Sequence, residues 1–185
     1  QTHFYNYQDF ENDPDNHKIE ISLDSLTEKN SDKIALWDQV VTKFVDTEDS
    51  DQNIVEHKLY YLIIKKGLGM MPSSVDSTFV SYKGSLLNGD VFDDRDYPIW
   101  FDLVNVVRGF RESLPEFNEG NFTINEDGTF DFDNYGKGLI FMPSALGYYS
   151  SANSNIPAYS PLIFSVNLHR VNHSDHDRVG ILSIK

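Results

Sequence analysis

The residues of this chain that could do chemistry are aromatic and aliphatic rather than nucleophilic. Tyr82, Phe92, Val106, Val107, Phe110, Ile156 and Phe164 follow one another from residue 82 onward, Phe92 is followed by the carboxylate Asp93, and Tyr148 brings a late phenolic hydroxyl. The chain has no cysteine, which excludes disulfides, thiolate metal sites and cysteine nucleophiles. Such a set can build a dry apolar pocket with a placed hydrogen-bond donor, suited to a step that forms no bond to a nucleophile. Taken singly, each ring is better explained as core packing, and Asp93 as a turn or capping residue. Their order argues otherwise: Tyr82-Lys-Gly84, Gly89-Asp-Val-Phe92-Asp93, Val107-Arg-Gly109-Phe110, Tyr148 and Ile156-Pro157 follow one another along the chain.

The elements that must position these residues are mostly strands. Leu59 to Ile64 and Ser77 to Tyr82 are β-branched and aromatic runs, and Pro161 to Val171 holds a long final strand. Asn88-Gly89, between apolar pairs, predicts a two-residue hairpin turn with positive φ at both positions. One segment reads as helix: Val106, Val107, Phe110 and Leu114 form one apolar face of two to three turns, stopped by Pro115. One helix against several antiparallel strands makes an α+β domain. Residues 1–57 are polar and acidic, read as an extended or irregular arm, and residues 172–185 as a polar tail.

Composition narrows the function classes. A formal charge of −14 argues against nucleic acid, whose phosphates need a basic surface. No apolar run approaches the ~18 to 20 residues of a spanning helix. The start at Gln1, without methionine or signal peptide, is expected of a trimmed or mature product whose lipid-anchor cysteine or secretion signal would lie upstream.

In the order and spacing of these motifs, residues 58–171 resemble the FKBP-type peptidyl-prolyl cis-trans isomerases. The resemblance implies a bent antiparallel sheet wrapped around one short helix, and catalysis of exchange at X-Pro bonds without cofactor or metal. It implies Phe110 as the floor under the proline ring, with Tyr82, Phe92, Val106, Val107 and Phe164 as walls and Ile156 closing one side. Tyr148 would donate to the substrate carbonyl, and Asp93 would sit at the pocket edge, hydrogen-bonded to Tyr82. Ile99 takes a position where the family usually has another aromatic contact, and Phe110 one where tryptophan is common. Proline-containing polypeptides are the implied substrates, with a macrolide of the FK506 type as a further ligand.

An insertion at about 116–135, with a hairpin tip at Asp127-Gly128, departs from the usual family outline. With the arm, it resembles envelope FKBP-like lipoproteins of Bacteroidetes-type bacteria, which implies a periplasmic or outer-membrane-anchored location. A rival reading keeps the fold but makes it a non-catalytic binding or chaperone module for an envelope partner. Two acidic groups invite a calcium reading, Asp175 with Asp177 and Asp127 with Asp131 and Asp133. A solvated tail and an alternating strand face explain them more simply, so no metal ligand is assigned.

Overall fold

The computed structural model describes residues 39–173. Eight strands, a short helix and three single 3-10 turns make up this part of the chain. Strands β1 (Val40–Glu48), β2 (Ile54–Lys65), β3 (Ser77–Leu86), β4 (Val91–Asp102), β7 (Gly136–Met142) and β8 (Leu162–Asn172) form one sheet in the order β1-β2-β7-β8-β3-β4. Every neighbouring pair is antiparallel. β5 (Asn121–Ile124) and β6 (Phe130–Asp133) make a separate two-stranded hairpin, the expected insertion.

The alternation of β8 shows how the sequence selects the inner face. Leu162, Phe164, Val166 and Leu168 are all buried, whereas Ser165 between them is exposed. Against that face lies α1 (Arg108–Ser113), with Phe110 and the following Leu114 in the same core as Leu59, Val80, Ile140 and Met142. β2 is buried on both sides at its centre: Leu59 and Tyr61 face this core, while Tyr60 packs with Phe141 in a smaller cluster.

Three expectations need correction. The boundary expected between residues 57 and 58 falls inside β2, and residues 40–48, read as arm, form edge strand β1. β1 pairs with β2 from Val40↔Leu62 to Glu48↔Ile54, and Lys43 Nζ donates to the Glu112 carbonyl at 2.7 Å, tying the strand to α1. Its period-2 signal is weak because an edge strand buries little: of its nine residues only Val45 is fully buried. Residues 1–38 and the tail beyond His173, with its metal reading, lie outside the described residues.

The helix is also shorter than its apolar pattern. Val106 and Val107 precede it in extended conformation, Val107 as the residue before the first turn, and Leu114–Glu116 continue as a 3-10 turn around Pro115. Branching at Cβ makes valine a poor first-turn residue, and both valines serve better as an extended approach to the helix. At Asn88-Gly89 only Gly89 has positive φ (95°). Leu86 accepts from the Gly89 N–H at 3.0 Å and donates to the Asp90 carbonyl at 2.9 Å. The turn is therefore closed with one extra residue, a glycine bulge, rather than with two residues. The insertion tip repeats the pattern at Asn125 to Thr129, with Gly128 at φ 83°. Asp127 and Asp131 hydrogen-bond to Thr129 and Asn125 within that tip.

Candidate prolyl-binding site

The concave face of the sheet and the start of α1 enclose a cavity of about 580 Å³. Phe110 is buried beneath it, with ring centroids 5.4 Å from Phe164, 6.0 Å from Phe101 and 6.1 Å from Tyr82. Phe92 meets Phe164 edge-on at 5.5 Å, so edge-to-face contacts link the floor to both walls. Val106 and Val107 border the cavity from the extended approach to α1, and buried Ile156 borders it from the loop between β7 and β8. That loop is held by Asn153, whose Oδ1 accepts from the Asn155 and Ile156 N–H groups at 2.9 and 2.8 Å.

The spacing of the glycines now has a steric cause. A Cβ on Gly84 would stand 2.5 Å from two carbons of the Phe92 ring and 3.0 Å from Phe164. A Cβ on Gly109 would stand 2.7 Å from Met142 Sδ, so the helix can approach β7 only without a side chain there. Tyr82-x-Gly84 and Gly109-Phe110 are thus packing requirements of the cavity wall and floor.

Polar groups gather at one rim. The Tyr82 hydroxyl donates to Asp93 Oδ2, and Arg95 Nε lies 3.3 Å from the other Asp93 oxygen. Burial, reinforced by this donation to a carboxylate, pushes the Tyr82 hydroxyl up to about 12, so it remains a donor throughout the physiological range. Tyr148 is raised too, first by burial and then by the negative charge of Asp93. Its hydroxyl has no hydrogen-bond partner among the described residues, while the residue is 41% exposed.

Of the ten residues singled out from sequence, nine line this cavity: Tyr82, Phe92, Asp93, Val106, Val107, Phe110, Tyr148, Ile156 and Phe164. Ile99 does not. It sits on edge strand β4 opposite Val80 and is 36% exposed. Phe101, two residues on and so at the same strand parity, supplies the aromatic wall, with its ring 5.6 Å from Tyr82. Sequence reasoning missed Phe101, Arg95, Trp100 and the polar rim of Asp102, Asn105 and Asn153–Asn155. Parity along β4 could have found Phe101; nothing local marks the others, of which Arg95, Trp100 and Asp102 come from β4 itself, Asn105 from the turn after it and Asn153–Asn155 from the loop before β8.

Comparison with known proteins points the same way as this geometry. The family model described as FKBP-type peptidyl-prolyl cis-trans isomerase matches residues 69–169, more than half of the chain. The chain is 31% identical over 113 residues to the FKBP-type peptidyl-prolyl cis-trans isomerase FkpA of Escherichia coli (strain K12), covering 60% of this chain and 36% of that protein. It is 27% identical over 136 residues to the peptidyl-prolyl cis-trans isomerase Mip of Chlamydia muridarum, covering 70% of this chain and 49% of that one. It therefore spans about half or less of the length of these curated relatives. The crystal structure of FkpA from Escherichia coli superposes with a TM-score of 0.54 at 26% identity, over 84% of this chain and 62% of that one. A sheet bent around one short helix, an aromatic cavity between them and a family match across both leave one assignment: the chain belongs to the FKBP-type peptidyl-prolyl cis-trans isomerase family.

Proposed function

We propose that the cavity binds the proline of an X-Pro bond and accelerates its cis/trans exchange, and that the substrates are polypeptides of the cell envelope. The observation that carries the reading is the combination of an open aromatic cavity floored by Phe110 with Tyr82, Asp93 and Tyr148 at its rim. Exchange requires amide resonance to be broken, a barrier of roughly 18 to 20 kcal/mol. No nucleophile and no net proton transfer are needed. In the twisted transition state the nitrogen lone pair leaves conjugation and the carbonyl loses much of its charge separation. A desolvated apolar surface therefore favours the twisted amide over either planar form.

Phe110, Phe101 and Phe164 provide that surface around the pyrrolidine ring. Tyr148 has the free donor that fixes the substrate carbonyl, and its raised pKa keeps it protonated at neutral pH. Asp93 is held by Tyr82 and Arg95, so its charge stays at the rim and off the proline ring. Phenylalanine as the floor preserves the apolar contact and leaves more depth than an indole would. The envelope location rests on the resemblance of arm and insertion to envelope lipoproteins, and a macrolide of the FK506 type would occupy the same cavity as the proline.

A non-catalytic adaptor would be expected to have this cavity filled. Among the described residues, neither the insertion nor Tyr149 lines it; Tyr149 instead packs its ring edge-on against Tyr159 at 5.2 Å. The test is exchange in an Ala-Leu-Pro-Phe peptide, with wild type and the Asp93→Ala/Tyr148→Phe double variant, with and without FK506. Acceleration that falls in the variant and is blocked by the macrolide supports catalysis here. A buffer rate with folded wild-type protein would leave the binding-module reading.

A further inference from the structure

The face of the sheet opposite the core carries a second cavity, of about 410 Å³. Its floor is Phe79, Tyr135 and His169; one wall is Phe130 and Phe132 of the inserted hairpin, and the other is Tyr97-Pro98 of β4. Contacts between rings hold the hairpin here. Phe132 lies 5.7 Å from Phe79 and 5.3 Å from His169, and the Arg170 guanidinium lies 4.5 Å above Phe122.

His169 falls where the β3–β8 register shifts, since Phe79 pairs with Arg170 and Val80 with Leu168. The extra residue leaves His169 and Arg170 together on the hairpin side, with Leu168 and Val171 in the core. His169 Nε2 is 2.9 Å from Ser81 Oγ, and that oxygen already accepts from Asn167 Nδ2 at 3.0 Å. Which of the two groups donates in the Ser81–His169 bond follows the imidazole tautomer, and His169 Nδ1 has no partner among the described residues. Burial, then the charge of Lys137, holds the imidazole down to about 4, so the floor is uncharged at neutral pH.

A groove built this way suits apolar side chains, yet its rim is left open. Tyr97 is 87% and Phe130 56% exposed, more aromatic surface than packing of the hairpin explains. The groove also adjoins the prolyl cavity through one ring contact. Trp100 lines that cavity at the sheet's edge, and its ring lies tilted 5.1 Å from Phe79 on the groove floor. The two sites thus lie on either side of edge strand β4 and are joined around it by one indole.

We propose that this groove is a second subsite for the client polypeptide, taking an extended apolar or aromatic stretch that adjoins the X-Pro bond. The proposal rests on the isomerase reading of the first cavity. Crossing a strand and its side chains takes roughly 10 Å, so the stretch begins about three to six residues from the proline at ~3.3 Å per residue. A formal charge of −14 opposes closure of the groove by a second copy of the chain, whereas an unfolded apolar segment meets no such repulsion. The gain comes from linkage: with the proline bound, the second contact is intramolecular.

The test uses the full chain and its Tyr97→Ser/Phe130→Ser variant, with Tyr97→Ser alone as a milder change. Binding is followed by fluorescence anisotropy with two labelled 14-residue peptides that share one Leu-Pro. One has aromatic residues three to six positions from the proline on both sides, and the other has serines there. Wild type is expected to bind the aromatic peptide about tenfold tighter. The double variant should bind both alike, while its exchange rate on Ala-Leu-Pro-Phe stays that of wild type. Equal affinities in wild type, or a preference that survives the double variant, overturn the proposal. So does a wild-type dimer in sedimentation that the variant converts to monomer, because the groove is then occupied by a second copy. The tetrapeptide separates the two readings: no acceleration by wild type removes the isomerase step, whereas loss of the aromatic preference alone removes the groove.

Discussion

Gly84→Ala should damage the prolyl cavity from behind, without replacing any residue that lines it. The new methyl group would lie 2.5 Å from Cε2 and Cζ of Phe92 and 3.0 Å from Cε1 of Phe164. Carbon atoms rest at about 3.5 to 4.0 Å, so the Phe92 ring must retreat by roughly 1 Å. Gly84 lies within β3, paired with both Asp93 and Phe164, so its backbone cannot give way without disturbing two ladders. The ring moves instead, toward the cavity that it lines. Overpacking of this kind costs about 1 to 3 kcal/mol, which corresponds to a fall in melting temperature of about 2 to 10 °C for a chain of this size. A displacement near 1 Å in a pocket that works by fit should lower kcat/KM by about 10- to 100-fold. Gly89→Ala is the control. Its Cβ has nothing within 4 Å, but φ is +95°, so it should cost about 1 to 2 kcal/mol and leave exchange unchanged. Exchange measured on a Leu-Pro peptide by magnetisation-transfer NMR, with thermal unfolding in parallel, gives both readings. If Gly84→Ala retained wild-type kcat/KM while Gly89→Ala lost it, the packing account of Tyr82-x-Gly84 would be refuted.

Two further outcomes follow from the same structure. Phe101→Ala should lower exchange more than tenfold and stability by about 2 kcal/mol, because it opens the wall shared with Tyr82 and Phe110, whereas Ile99→Ala should change exchange less than twofold; equal effects in the peptide assay would contradict the assignment of the wall to Phe101. His169 has its pKa lowered from 6.5 to about 4, so between those values the unfolded chain binds the proton and the folded one does not. Stability from this group is full above about pH 6.5 and lost as pH falls toward 4, by at most about 3 kcal/mol. Urea unfolding across that window should fall more steeply for wild type than for His169→Gln, and parallel curves would count against a buried neutral imidazole.

How much of this was legible in the sequence depends on how local the cause is. Nine pocket residues could be named because their motifs record steric facts about neighbours in the chain or in the register. Gly84 has no side chain because Phe92 and Phe164 pack over it, and Gly109 has none because Met142 does. Such constraints leave glycines and rings at fixed spacings. Phe101 was hidden by a different circumstance: Ile99 and Phe101 have the same parity, and only the bend of β4 decides which one reaches α1. Edge strand β1 was hidden because its pairing is made by backbone groups, which any residue supplies, while only Val45 is fully buried. The groove under the inserted hairpin was the least legible. The phenylalanines at 130 and 132 read as part of an alternating, half-exposed strand, and on β6 alone that is what they are. Their partner surface is Phe79 and His169, brought together by a one-residue shift between β3 and β8. A bulge leaves no composition signature, and it turns a half-exposed hairpin into one wall of a cavity. What sequence conveys well in this fold is therefore a site whose walls are contiguous in register, and what it conveys poorly is a site created by a change of register.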